Sequence, residues 1–508
     1  MNTRAIAPIV ALALAIPAAV WLGVSVAQEQ MTTVAWILGT LFAVLCLALK
    51  QHVWILIPAT LGMKGDVNLI PGSPAPWHIM TAAAAGFTLL RILSRQQPVR
   101  FRWTGMETCL LLVALTVLQA LVRNPTGLAI MGGEYAGGKA YFKYGVAFVA
   151  FLVISTADAD IRSFRWAAIS YILITLLDGI NALITAFVPK YGQVIVQIYS
   201  NISFKAVFDN TFAADVADVR IGEFGFLGAH LGLMACTLWR PIGAFNPRKP
   251  WRAVVAIGAL VCSLLGGFRS LLARSCVDFA VGSGLRGKFI DVAIVSLIGI
   301  VGLVGVLALV PSNALPYSVQ RVLTVLPGAK VRSDIAADAE GSSNVRFKVW
   351  RLALLTDRYI DNKLLGDGFN EKANEQRIRA AMMQNLNVAG AMTAEEFLLS
   401  SGSYHGFHAE TIRMTGVVGL AAATAALIAF AVYGMRQIRH FRWHKEWGLV
   451  LFVCMPFLIE PFWHWLVFGS YKSYFPGFIA MAGLLKVLDL IRRRELASAR
   501  LSVTSEAR

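Results

Sequence analysis

Apolar runs of 17 to 25 residues recur along this chain from end to end, the length an α-helix needs to cross a hydrocarbon core. They predict helices near 5–27, 33–49, 51–63, 78–93, 105–122, 141–156, 166–188, 221–239, 253–267, 270–283, 289–310, 410–433, 447–467 and 474–491. The expected fold is all-α, a polytopic integral membrane protein of about 12–14 transmembrane helices. Residues 1–310 then form a transmembrane helical bundle and 311–409 a large loop outside the membrane. Residues 410–491 supply the C-terminal transmembrane helices and 492–508 a cytoplasmic tail.

The basic residues set the orientation. With the amino terminus inside, alternate loops carry Arg91, Arg95, Arg100 and Arg102; Arg162 and Arg165; Arg240, Arg248, Lys249 and Arg252. The series continues with Arg286 and Lys288; Arg436, Arg439, Arg442 and Lys445; and the Arg492-Arg493-Arg494 tail. Dropping only one of the short runs 51–63 and 270–283 throws several clusters to the other side, against the positive-inside rule. Both therefore stand, or both fall or form re-entrant hairpins. Three substantial loops lie outside: 64–77, 189–220 and 311–409. In the last, Val319, Val322, Leu323 and Leu326 have helical spacing and predict a short interfacial helix. A second helix is expected from Asn344 to Tyr359, stopped by the turn LLGDGFN, and a third from Glu371 to Asn385. This loop is expected to be an ordered helical cap.

Composition sharpens the class. The chain is 57% hydrophobic and only 15% charged, where soluble domains carry about 25% charged residues. The net charge of +17 would suit a nucleic-acid binder. Its cations cluster in short loops between spans, so nucleic acid is not an expected partner and the lipid bilayer is. The six cysteines lie within or beside apolar runs without CxxC spacing, and read as small core residues. Residues 1–27 resemble a signal peptide, but the apolar run is long and reads as a first membrane helix.

Two motif-like stretches carry no function in this reading. The GxxxxGK spacing of Gly133 to Lys139 lacks the Ser or Thr that would hold magnesium, since Ala140 follows. Asp158-Ala-Asp160 mimics a sugar-nucleotide DxD site but falls in a very short inner loop. The informative residues are ionisable groups at span edges, which face polar cavities because charge in hydrocarbon is costly. Glu223 and His230, Arg269 after Gly266-Gly267-Phe268, Glu410 and Arg413, and Glu460 with His464 all fall toward the outer leaflet. Arg269 stands where two short helices would form one broken element, at the depth of a lipid diphosphate. A guanidinium binds phosphate through paired hydrogen bonds, and Arg220 and Arg346 could join it. His405 is the candidate general base, with His408 as its competitor. His405, His408 and Glu410 form no recognised metal motif.

These residues carry a resemblance to the O-antigen ligase and O-antigen polymerase superfamily of bacterial membrane glycosyltransferases. His405 is followed by Gly406, nine residues, then Gly416-Val417-Val418-Gly419, a histidine-to-GxxG spacing similar to the family's. Gly406 replaces the family's usual Asn, Ser or Gln. The segment from Ser342 through LLGDGFN looks like the family's loop arginine and its closing turn, placing that arginine at Arg346. GGFRSLLA is similar to the family's serine-arginine motif and gives Arg269, with Phe268 in place of the serine, while Arg220 with Gly222 resembles an arginine-glycine helix start.

The resemblance implies inverting transfer of a glycan from an undecaprenyl-diphosphate donor to an acceptor glycan or lipid A core, without metal or other cofactor. It places the active site on the periplasmic face of the inner membrane, and leaves room for other polysaccharide-assembly proteins as partners. Polymerase and ligase remain open, as does a transporter of a small anion such as bicarbonate. Asp178, near the middle of its span, is the feature that favours transport.

Overall fold

The computed structural model describes residues 30–95, 101–125, 138–201, 222–309, 315–324, 331–370, 394–400, 404, 406–466 and 469–506, with a few more between 21 and 28. The protein is an all-α polytopic membrane protein. Helices α1 (Met31–Leu49), α2 (Leu56–Leu61), α3 (Pro76–Leu93), α4 (Gly105–Arg123), α5 (Lys139–Ser155) and α6 (Ile161–Phe187) open the bundle. A short helix α7 (Pro189–Ile198) is followed by α8 (Gly222–Thr237), α9 (Trp251–Leu265), α10 (Arg269–Leu285) and α11 (Phe289–Leu309). The cap contributes α12 (Tyr317–Leu323), α13 (Ser333–Leu355) and α14 (Ala394–Ser400). The chain closes with α15 (Phe407–His440), α16 (Trp447–Leu466) and α17 (Phe475–Glu506).

Among the described residues five helical stretches are long and apolar enough to cross a membrane: Met31–Leu61, Gly105–Arg123, Ile161–Thr185, Phe407–Trp443 and Trp447–Trp465. The first is not one straight rod. Lys50 breaks it with φ 48°, and a 3-10 turn over Lys50–Ile55 leads into α2. That short segment buries Val53, Trp54, Ile55 and Ile57 against α3 and α6. The bundle's first run, 5–27, and the third expected cap helix lie largely or wholly outside the described residues.

Helices α9 and α10 form an antiparallel hairpin rather than one broken element. Gly228 of α8 abuts Ser263 and Ala259 of α9, Gly266 abuts the Gly225 backbone, and Gly282 of α10 meets Cys236. Helix α8 thus runs antiparallel to α9 and parallel to α10, and glycines let the backbones close up, as in membrane bundles generally. The chain reverses at Gly266-Gly267, where Gly267 has φ 68°, and Arg269 begins the returning helix at the hairpin tip.

The basic loops gather at the far end of the bundle from that tip. There Lys486 pairs with Glu107 at 2.6 Å, Arg240 with Asp291 at 2.9 Å, Arg494 with Asp158 at 2.5 Å and Arg165 with Glu446 at 3.4 Å. At the tip end, the two loops expected outside join in a small sheet. Strand β1 (Gly65–Val67) pairs antiparallel with β2 (Tyr199–Asn201). Asp178 belongs to this end: its carboxylate accepts from the Tyr199 hydroxyl at 2.7 Å and from the Lys64 amide at 3.3 Å.

The cap is anchored where α15 is broken. Gly416 has φ 75° and ψ −177° within the helix, which leaves backbone groups on both sides without helical partners. The turn over Lys363–Gly368 supplies them. Asp367 and Gly368 amides donate to the Arg413 and Met414 carbonyls at 2.7 and 3.0 Å, while Val417 and Val418 donate to Lys363 and Leu364 at 2.9 and 3.3 Å. Irregular backbone is tolerated at a membrane helix only when protein satisfies it in this way. A small core of Val349, Ala353, Tyr359, Ile360, Leu399, Tyr404, Ala409 and Ile412 completes the junction of cap and bundle.

Candidate functional site

The sequence of α13 places Ala339, Arg346 and Trp350 on one face, since residues seven and four apart superpose on a helix. That face meets the hairpin tip. The Arg269 Nη2 donates to the Ala339 carbonyl at 2.5 Å. Burial, and after it the neighbouring Arg269 guanidinium, hold Arg346 below the ordinary arginine value. Arg269 on the membrane hairpin is therefore seated against the cap helix that carries Arg346, and the two charges are near enough to repel.

From Arg346 the contacts run on around a ring of four helices. One turn along α13, the Trp350 indole packs edge-on against His408 of α15 at 4.6 Å between centroids. His408 stacks in turn on Trp465 of α16 at 5.7 Å and 18°. The preceding residue, His464, sits with its Nε2 3.0 Å from the Glu460 carboxylate. Glu460 also pairs with Arg274, which lies 3.8 Å from Asp278 on its own helix. Arg274 is on α10, little more than a turn beyond Arg269, so the ring closes. Glu460 and Asp278 are 6% and 1% exposed; buried ions of this kind persist only when paired.

Glu410 and Arg413 are engaged in holding loops. Glu410 accepts from the Ser470 hydroxyl at 3.0 Å and the Tyr471 amide at 2.7 Å. Arg413, 4% exposed, donates to the Gly368 and Asn370 carbonyls at 2.6 and 2.8 Å. His230 lies deeper in α8, edge-on to Tyr171 and Phe452 at 5.9 and 5.4 Å.

Arg220 and His405, together with the side chain of Glu223, lie outside the described residues. The residues flanking His405 are described. The Tyr404 carbonyl accepts from the Trp350 indole nitrogen at 3.1 Å, and a Cβ on Gly406 would stand 2.5 Å from that same nitrogen. Trp350 thus leaves no room for a side chain at 406, where Gly406 departs from the usual Asn, Ser or Gln of the family it resembles.

Sequence reasoning missed three members of this ring. Arg274 was in view within the GGFRSLLARS stretch but carried no signal beyond its charge. Trp350 and Trp465 are aromatic residues at helical spacing, indistinguishable in sequence from core or interface anchors. Arg321, 5% exposed on α12, which packs against α9 and α13, is a further buried arginine of the cap.

No known family model matches this chain, and none of the curated proteins is similar to it.

Proposed function

We propose that this protein is a membrane glycosyltransferase of the O-antigen polymerase and ligase type. It moves a glycan from an undecaprenyl-diphosphate donor to an acceptor hydroxyl, on the periplasmic face of a bacterial inner membrane. The observation that carries the reading is the bond from Arg269 at the hairpin tip to the Ala339 carbonyl of the cap helix that also carries Arg346, whose guanidinium feels the Arg269 charge. Adjacent guanidiniums repel one another, and a dianionic diphosphate at the headgroup level reverses that cost by bidentate hydrogen bonds.

In the reaction, the acceptor oxygen bonds to the anomeric carbon as the carbon–oxygen bond to the diphosphate breaks, inverting the centre. The acceptor proton passes to His405, or to His408 in its place. The electron pair leaves with the lipid diphosphate, whose developing charge Arg269 and Arg346 neutralise. The cap folded over the hairpin tip keeps water from competing.

Asp178 weighs against the transporter reading. Its carboxylate ties together the two loops at the tip end through Tyr199 and Lys64, a structural occupation at the bundle's end rather than its midplane.

The test is transfer in proteoliposomes supplied with an undecaprenyl-diphosphate-linked glycan. Arg269→Ala and Arg346→Ala are each expected to lower the rate about 10²-fold or more, and His405→Ala to leave the lipid-linked substrate unconsumed. Product of unchanged length and yield in all three variants would sink the proposal.

A further inference from the structure

Helix α13 has two unlike faces. One buries Val349 and Ala353 in the cap's core. The other presents Asn344, Phe347, Arg351 and Leu355, all exposed and spaced three or four apart, so they form one stripe. Phe347 is 67% and Leu355 75% exposed, unusual for large apolar side chains on an aqueous cap. Cations border the stripe: Lys348 and Arg358 flank it, linked to Glu395 and Glu396 of α14 at 3.0 Å each.

The position of this stripe follows from the turn that anchors the cap. Past Leu355 the chain folds back through the pair of Lys363 with Asp357 at 2.6 Å. The next residue, Leu364, is 62% exposed, and its carbonyl takes the Val418 amide. Val417 and Val418 are themselves exposed, at 49% and 45%, on a helix long and apolar enough to span the membrane. Exposed apolar side chains so lead from the lipid-facing flank of α15, through Leu364, to Leu355 and Phe347.

We propose that α13 lies at the outer headgroup–acyl boundary, with Phe347 and Leu355 among the acyl chains and Arg351, Lys348 and Arg358 at lipid phosphates. The occupant of this face is the anionic bilayer surface. Its apolar stripe with cationic borders is the pattern of an interfacial helix. The inference rests on the membrane-spanning character of the chain and not on glycosyl transfer, although it sets Arg346, beside Phe347, at the depth of a lipid-linked phosphate.

Spin labels at Phe347→Cys and Leu355→Cys test it, in nanodiscs and in a background whose six cysteines are replaced by serine. Both labels are expected to collide with oxygen far more than with a water-soluble nickel chelate, as a Val418→Cys control does. Labels open to nickel would overturn the proposal, and so would labels shielded from both reagents, which would mean a protein partner or a second copy covers the face. Adding phosphatidylglycerol to phosphatidylcholine discs is expected to deepen both labels, and Arg351→Gln to shrink that shift. Equal depth in the two lipids would remove the phosphate part. Hydroxyl-radical footprinting of the unsubstituted protein in nanodiscs serves where the cysteine-free background fails to fold. Phe347 is expected to be oxidised several-fold less than its exposure in the protein alone implies, and heavy oxidation would end the idea.

Discussion

Gly416 joins two motifs that look independent in the sequence. Its φ of 75° is a conformation other residues adopt only with strain, and a Cβ there would strike the Leu364 carbonyl. The GxxG and LLGDG stretches are thus two halves of one joint, in which a broken helix and a turn complete each other's hydrogen bonds. Gly416→Ala is expected to cost at least about 2 kcal/mol, from backbone strain plus overpacking. Gly86→Ala, where nothing lies within 4 Å of a Cβ, should change stability little or raise it. Thermal unfolding of the purified protein followed by tryptophan fluorescence separates the two; equal midpoints would refute the joint. Single residues also explain the motif-like stretches set aside earlier. Lys139 is buried and bound to Asp66 at 3.1 Å. Asp160 caps α6, accepting from the Ser163 amide at 2.8 Å, and Ser163 holds its carboxyl below the usual range. Asp158 pairs with Arg494.

Between elements, the pairing that ties α10 to α16 gives a ranked expectation. Arg274 serves two carboxylates, Glu460 and Asp278, whereas Glu460→Gln would leave the guanidinium with Asp278. Arg274→Met is therefore expected to cost more, about 3–5 kcal/mol for stranding buried charge, and Glu460→Gln clearly less. Thermal midpoints in one detergent check the order; Glu460→Gln melting below Arg274→Met would contradict the pairing. Elements of this kind were legible in the sequence to very different degrees. Hydropathy located several apolar helices to within a few residues: 105–122 became Gly105–Arg123 and 141–156 became Lys139–Ser155, whereas 474–491 became Phe475–Glu506 because its helix runs on through polar residues. Helix α13 was expected from Asn344 but starts at Ser333, since its first turns are polar and carry no periodic apolar signal. The hairpin reversal at Gly266-Gly267 looked like a break, as glycines mark a bend without giving its angle. The ring of Arg346, Trp350, His408, Trp465, Glu460 and Arg274 depends on which helices are neighbours, and spacing along one chain does not carry that. The expectation that Arg346 joins Arg269 came from guanidinium chemistry at headgroup depth and from the family resemblance, never from periodicity.

For the whole molecule, the separation of its two ends decides whether the proposed chemistry has access to its substrate. The loops around Arg102, Asp158, Arg240, Arg286, Glu446 and Arg494 are cross-linked at one end by ion pairs and carbonyl contacts. The cap, the small sheet and the hairpin tip hold the other. A membrane protein retains its cationic loops on the cytoplasmic side, and the proposed function requires the cap to face outward, where it would meet a lipid-linked glycan. Ser333 and Arg248 are exposed positions at opposite ends. In a background lacking the exposed Cys276, a membrane-impermeant maleimide is expected to label Ser333→Cys in intact spheroplasts and Arg248→Cys only after lysis. The reverse pattern would put Arg269 and Arg346 in the cytoplasm. A diphosphate clamp would then face the pool of nucleotide sugars instead of the assembled glycan, and polymerase and ligase would both lose their acceptor. Orientation is therefore the cheapest measurement able to refute the functional reading without a purified substrate, and it leaves the arginine pairing and the interfacial helix to be judged on their own tests.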